Sequence, residues 1–241
     1  MLKYEIEGGN LPVVICYPEV GQTLCTQSGA MSWMSPNMQM QTSSGGGFKK
    51  MIGRLFSGDS LFINEYTPLG GSGMIAFAAS FPGSIIPYEV TPGNGIIVQK
   101  SGFLAMEKGL DLSVYFQRSL GTGFFGGEGF IMQKISGNGL VFIEIDGYCK
   151  EYTLQPGESM IVDTGYLAAM SESCQMDVVT VKGAKNIFLG GEGLFHTRIT
   201  GPGKVYIQSM PVINLAQRLT PYLPKPSSNS DGINIKLGGR D

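Results

Sequence analysis

The chain has 241 residues with 17 basic and 19 acidic side chains, which give a formal net charge of −2. Apolar residues make up 42% and charged residues 15%, a composition that excludes disorder over most of the length. Duplex nucleic acid is disfavoured as a partner, because its binding normally requires an excess of Lys and Arg. The 36 glycines show no Gly-x-y period and separate short apolar runs, so we expect an all-β protein with many turns.

The N-terminal region predicts two strands. Lys3–Glu7 alternates polar and apolar residues, as a half-buried strand does, and the apolar run at 11–17 suits a strand buried on both faces. The first residues lack the charged head and apolar core of a signal peptide, and no apolar run reaches the ~18 residues of a membrane-spanning helix. We therefore expect a cytoplasmic protein.

Two signals recur three times along the chain. A glycine-acid step at Gly58, Gly127 and Gly191 precedes a Gly-x-Gly turn that ends at Gly73, Gly139 and Gly203. The three turns are 66 and 64 residues apart, which predicts a threefold internal repeat. One repeat cannot cover its own apolar face, so three pseudo-symmetric repeats must pack around a common core.

A second recurring pattern precedes each of these signals. An apolar strand and a polar pair are followed by a hydroxyl residue and glycine, at Gly29, Gly102 and Gly165, and then by another strand. A β-bulge or a tight bend at the glycine explains this pattern. We predict one domain over residues 1–224, with repeats at about 18–90, 91–154 and 155–211.

The pattern changes after the third repeat. Residues 212–219 have helical spacing and end before Pro221, which predicts one short C-terminal helix that caps the sandwich. Residues 225–241 form a linker rich in proline and serine that leads to a candidate edge strand at 233–237. This edge strand and Lys3–Glu7 would allow two copies to pair as a homo-oligomer, although either strand could equally be covered.

The sequence contains no recognisable catalytic constellation. Four cysteines without C-x-x-C spacing predict free thiols, and His196 lies in the middle of a predicted strand. A zinc site would need further Cys or His ligands, and a catalytic triad would need His196 as its base. The Gly121–Gly126 match to a dinucleotide fingerprint lacks a βαβ context. We expect no enzyme, no cofactor and no metal.

Two kinds of candidate site remain. The acids Asp59, Glu128 and Glu192 occupy one position of the three repeats, so pseudo-symmetry would bring them together as a metal or acid–base site. The alternative is a turn acceptor that bonds nearby backbone N–H groups once per repeat.

The second candidate is a set of three excursions, one per repeat, in which basic residues adjoin bulky apolar ones. Such segments are typical of a membrane-docking or partner-docking face, whereas the alternative is a short helix or strand end folded over the sandwich. The residues concerned are Phe48, Lys49, Lys50, Arg54 and Phe56 in the first, Arg118, Phe124 and Phe125 in the second, and Lys185 and Phe188 in the third.

Several segments together resemble the family named for altered inheritance of mitochondria (member twenty-four), formerly a domain of unknown function. They are residues 28–35, 58–62, 127–130, 163–167, 201–205 and 215–224, and the resemblance covers about 1–224. It implies a single-domain β-sandwich of the jelly-roll or double-stranded β-helix type, related to the tryptophan RNA-binding attenuator protein (TRAP). Eukaryotic members are associated with mitochondrial inner-membrane organisation, and no catalytic residues carry over.

The sequence therefore favours a non-enzymatic scaffold or adaptor that docks on a protein partner or a membrane surface through the three excursions. The alternative is a small-ligand or metal-binding β-sandwich, either a binding protein or an enzyme, with its site on the pseudo-threefold axis. RNA binding rests on fold analogy alone.

Overall fold

A computed structural model describes residues 1–27, 29–43, 63–118, 129–180 and 195–223. Nineteen strands and one α-helix lie in these ranges. The first strand, β1 (Lys3–Glu7), precedes three groups of six, which we call units 1, 2 and 3.

Unit 1 contains β2 (Val13–Tyr17), β3 (Leu24–Gln27), β4 (Trp33–Met34), β5 (Met38–Ser43), β6 (Ile63–Pro68) and β7 (Ile75–Ala78). Unit 2 contains β8 (Gly83–Val90), β9 (Ile96–Gln99), β10 (Phe103–Glu107), β11 (Asp111–Arg118), β12 (Phe130–Ser136) and β13 (Gly139–Asp146). Unit 3 contains β14 (Cys149–Leu154), β15 (Ser159–Asp163), β16 (Leu167–Ser171), β17 (Gln175–Thr180), β18 (Phe195–Thr200) and β19 (Gly203–Gln208). The helix α1 (Val212–Leu219) follows unit 3.

One pairing scheme occurs in all three units. The first and third strands of a unit flank its sixth strand, and the second and fourth strands flank its fifth, always antiparallel. Neighbouring units are then joined edge to edge, because the second strand of one pairs with the third strand of the next, as β3 does with β10 and β9 with β16. Each unit therefore contributes to two different sheets.

The strands of the described ranges form four sheets. Sheet I has the order β1-β2-β7-β4, sheet II β5-β6-β3-β10-β13-β8, sheet III β11-β12-β9-β16-β19-β14, and sheet IV β15-β18-β17. Three apolar clusters lie between I and II, between II and III, and between III and IV. Sheets II and III are thus buried on both faces, whereas I and IV are the outer layers of the stack.

The turns agree with the glycine pattern. One-turn 3₁₀ helices at Lys100–Gly102 and Thr164–Tyr166 form the bends predicted between the second and third strands of units 2 and 3. The Gly-x-Gly turns connect the fifth and sixth strands of each unit. The prediction of an all-β, sandwich-like fold is confirmed, and so is the helix at Val212–Leu219, which is the one α-helix of the described ranges. The boundaries proposed for the repeats stay a prediction.

Candidate functional site

The three excursions start and end at equivalent places. They connect the fourth and fifth strands of their units, and in each case the two strand ends are paired: Ser43 opposite Ile63, Arg118 opposite Phe130, and Thr180 opposite Phe195. The fourth strand is the edge strand of sheets II, III and IV. Every excursion therefore continues a hairpin at the outer edge of a sheet that packs into the core.

Arg118 is the one docking residue of the sequence analysis that lies in the described ranges. It is the last residue of β11 and is exposed. Two residues earlier, Phe116 packs against Phe130 with 6.2 Å between ring centroids, so this hairpin is anchored in the cluster between sheets III and IV. The other nine docking residues lie outside the described ranges: Phe48, Lys49, Lys50, Arg54, Phe56, Phe124, Phe125, Lys185 and Phe188.

The pseudo-symmetric acids Asp59, Glu128 and Glu192 also lie outside the described ranges. Among the residues that are described, no group of three or more His, Cys, Asp or Glu side chains is placed to hold a metal ion. The proposal of a site made by these acids therefore stays a prediction. His196 lies in β18 opposite Asp163, whose carboxylate accepts the N–H of Gly165 at 3.2 Å.

The Gly-x-Gly turns have a structural role that the sequence analysis missed. In each unit the third strand contains a methionine, and the residue after this methionine carries a side-chain oxygen. That oxygen accepts the N–H of the residue that follows the Gly-x-Gly turn. The three bonds are Met74 N–H to Ser35 Oγ (3.0 Å), Leu140 N–H to Glu107 Oε2 (2.8 Å) and Lys204 N–H to Ser171 Oγ (3.0 Å). The signal in the sequence is a polar residue directly after Met34, Met106 and Met170. It is hard to recognise because this residue is serine in units 1 and 3 but glutamate in unit 2.

In the third turn, the second glycine is required by this close approach. At Gly203 the backbone has φ 147°, and an added Cβ would lie 2.7 Å from the Sγ of Cys174 and 2.9 Å from the Cβ of Ser171. Real Cβ atoms essentially never come so close to another heavy atom. At Gly203 the glycine is thus explained by packing. At the equivalent Gly139 the nearest atom to an added Cβ is Glu107 Oε2 at 3.3 Å, so the approach is looser there.

The thiols are poorly suited to nucleophilic chemistry. Burial raises the pKa of Cys16 and of Cys25 to about 12, and burial also raises the pKa of Cys149 and Cys174. The thiolate is the reactive form, so at neutral pH these side chains are held in their unreactive state.

A cavity of about 280 Å³ lies between α1 and sheet III. Its polar wall includes Gln99 and Gln208, where the Gln208 amide donates to Gln99 Oε1 at 3.0 Å and to the Gly165 carbonyl at 2.9 Å. Asp146 also lines the cavity and accepts the N–H of Val212 at 2.8 Å, which fixes the start of the helix. Burial raises the pKa of Asp146, and the Val212 N–H partly opposes this shift.

The fold and these equivalent hairpin ends define a class of protein, namely an all-β protein of three serially joined units. The chain belongs to the family described as Mitochondrial biogenesis AIM24, whose profile matches residues 4–210. It is 29% identical over 226 residues to an uncharacterised protein of Streptococcus pyogenes serotype M6, covering 90% of this chain and 89% of that protein. A Streptococcus pyogenes protein of known crystal structure is similar with a TM-score of 0.75 and 26% identity, covering 92% of this chain and 100% of that one.

Within the described part of the chain, no helix is both long enough and apolar enough to cross a membrane. Cytoplasmic localisation stays a prediction.

Proposed function

We propose that this protein is a non-enzymatic scaffold or adaptor that docks on a protein partner or a membrane surface through its three excursions. The observation that carries the proposal is the equivalence of the three hairpin ends, each of which continues from paired strands at the edge of its sheet. Sheets II and III, which carry the first two hairpins, are packed on both faces. Such a core would present the excursions in a constant arrangement.

Three contacts acting together also answer an energetic difficulty. A single excursion of about nine residues is too short to anchor a protein to a membrane, since interfacial binding scales with buried apolar area. When one excursion has bound, the others bind at a raised effective concentration, so three weak contacts add up to a useful avidity. The basic residues of the excursions would add attraction to an acidic surface.

The test is co-sedimentation of the full chain with anionic and with neutral liposomes, next to capture of crosslinked protein partners. The test variant changes Phe48, Phe56, Phe124 and Phe125 to serine, and a charge variant changes Lys49, Lys50 and Arg54 to glutamate. We expect anionic liposomes or a crosslinked partner to be bound by the wild type and lost from both variants. Binding that both variants retain in full would overturn the proposal.

A second candidate function is binding of a small ligand, and the cavity beside α1 favours it. At about 280 Å³ it lies just below the usual range of ligand pockets, roughly 300–1,000 Å³, so only a small metabolite would fit. Thermal shift of the purified protein across metabolites and metal ions tests this, with Ala216→Phe as the variant that fills the cavity. A shift that this variant removes would support the site, and a flat response would count against it.

A further inference from the structure

Neighbouring units meet at two junctions, where β3 pairs with β10 and β9 pairs with β16. These junctions show which residues pair with the edge of a unit's second strand. In the first junction Met106 of β10 lies opposite Cys25 of β3, and in the second Met170 of β16 lies opposite Ile97 of β9. All four side chains are at most 1% exposed. Each junction thus buries an apolar pair.

An ion pair accompanies each apolar pair. Two residues after Met106, the ammonium group of Lys108 lies 2.7 Å from a carboxylate oxygen of Glu65. Glu65 lies opposite Cys25 on β6, the strand that pairs with the other side of β3. At the second junction Glu172 reaches Lys134 at 3.2 Å from the same relative positions. The geometry is repeated while the charges are exchanged.

The backbone repeats as well. The N–H of Lys108 donates to the Thr23 carbonyl at 2.9 Å, and the N–H of Glu172 donates to the Gly95 carbonyl at 3.0 Å. A strand that docks here therefore supplies three things: an apolar residue, a charged side chain two residues later, and the N–H of that charged residue.

The second strand of unit 3, β15, is the third copy of the strand edge that β3 and β9 use at the junctions, and no described strand covers it. It ends sheet IV, and in the described ranges no strand pairs with its free side. Ile161, at the position of Cys25 and Ile97, is 60% exposed. Arg198 lies opposite Ile161 at the position of Glu65 and Lys134 and is exposed. On its other side it lies opposite Asp177 of β17, but none of the ion pairs found among the described residues includes it.

The third strand of unit 1, β4, is a poor complement for this edge. It has only two residues and belongs to sheet I, at the other end of the stack. Pro36 occupies the position of Lys108 and Glu172, so it offers neither the N–H nor a charge for Arg198. Proline and short length are devices that protect edge strands from pairing. Strand β15, with the sequence Ser-Met-Ile-Val-Asp, contains no proline or lysine.

We propose that the free edge of β15 binds an extended, antiparallel segment of a partner protein. The segment places an apolar residue opposite Ile161 and, two residues later, an Asp or Glu whose carboxylate pairs with Arg198. Main-chain hydrogen bonds supply affinity in this mode of binding, and the side-chain positions supply specificity. The surface lies on the opposite edge of sheet IV from β17, so it is separate from the docking proposal above.

The chain itself provides the probe. A peptide that copies residues 167–173 carries Met170 and Glu172 in the required spacing, and the same peptide with Glu172→Lys is the matched control. Amide signals of the ¹⁵N-labelled full chain report the binding site by nuclear magnetic resonance. We expect the glutamate peptide to shift the signals of Ser159–Asp163 and to bind about twofold to fivefold more tightly than the lysine peptide, as for a surface ion pair.

Two protein variants test the assignment further. Arg198→Glu should reverse the preference between the two peptides, and Ile161→Lys should weaken both by about tenfold, because the apolar contact is lost. Circular dichroism of both variants checks that the fold is retained.

Three results would overturn the proposal: no shift at β15, shifts centred on β9, or equal binding of the two peptides. Self-association of the wild type that Arg198→Glu abolishes would also overturn it, since the occupant would then be a second copy.

Discussion

The middle sheets and the outer sheets of this stack differ in what they expose. Sheets II and III contact an apolar cluster on each face, whereas sheets I and IV contact one cluster each. The same repeat position is therefore core in one unit and surface in another: Ile97 is fully buried, and its equivalent Ile161 is 60% exposed. Repetition of a strand pattern thus does not imply repetition of its environment, and the outer face of sheet IV exposes a position that is buried in the middle sheets.

The largest expected effect tests this comparison directly. Ile97→Ala should lower the free energy of unfolding by about 2–5 kcal/mol, because it leaves a cavity between sheets III and IV. Ile161→Ala makes the same chemical change at an exposed position and should stay within about 0.5 kcal/mol. Urea denaturation of both variants measures the difference. Equal losses would show that the outer sheet is as tightly packed as the middle one.

A smaller effect is expected for the Gly-x-Gly turn before β19, where the backbone packs closely against Cys174 and Ser171. Gly203→Ala should cost about 2 kcal/mol, since the new Cβ meets Cys174 and Ser171 in a backbone conformation that favours glycine. Gly157→Ala is the matched control: its φ is 80°, but nothing lies within 4 Å of the added Cβ. The control should lose only the cost of backbone strain, about 1 kcal/mol. If both variants lose the same amount by thermal unfolding, the close approach at Gly203 does not matter.

Much of the fold could be predicted because its signals are local. The helical spacing of residues 212–219 and the glycine turns depend on a few neighbouring residues, and the structure agrees with both. Burial was predicted less well. The strand predicted from the run at 11–17, β2, is buried on one face only, and β1 is exposed along its length although its alternation suggested a half-buried strand. Both strands lie in sheet I, and the sequence does not reveal which sheet is outermost.

The junctions could not be predicted for a related reason. Thr26 donates to the carbonyl of Leu104, a bond across the first junction that joins residues 78 apart in the chain. Such pairings depend on the register between units. The exchange of charges between the Lys108–Glu65 and Glu172–Lys134 pairs also hides the repeat from residue matching. Of the candidate docking residues, Arg118 alone lies in the described ranges, at the hairpin end where the pattern suggested an excursion.

The smallest expected effect concerns carboxyl groups placed in a middle sheet. Glu144 of β13 accepts the N–H and the hydroxyl of Ser80 at 2.6 and 3.0 Å, yet burial raises its pKa, and burial raises that of Asp146 on the same strand. A raised pKa means that the folded state holds the proton more tightly than the unfolded state. The contribution of both groups to stability is therefore fully present below their unfolded pKa values, near 4, and is lost as pH rises through the folded values.

The expected loss of stability with rising pH can be used to test how well a middle sheet accommodates a buried carboxylate. Glu144→Gln keeps an acceptor for Ser80 but removes the titration, so the fall in unfolding free energy between about pH 4 and neutrality should be smaller than in the wild type. Urea denaturation across this pH range measures the two slopes. If they coincide, the hydrogen bonds from Ser80 compensate the buried charge completely. A middle sheet would then accept a carboxylate as readily as an outer one, and the contrast between the sheets would be limited to apolar packing.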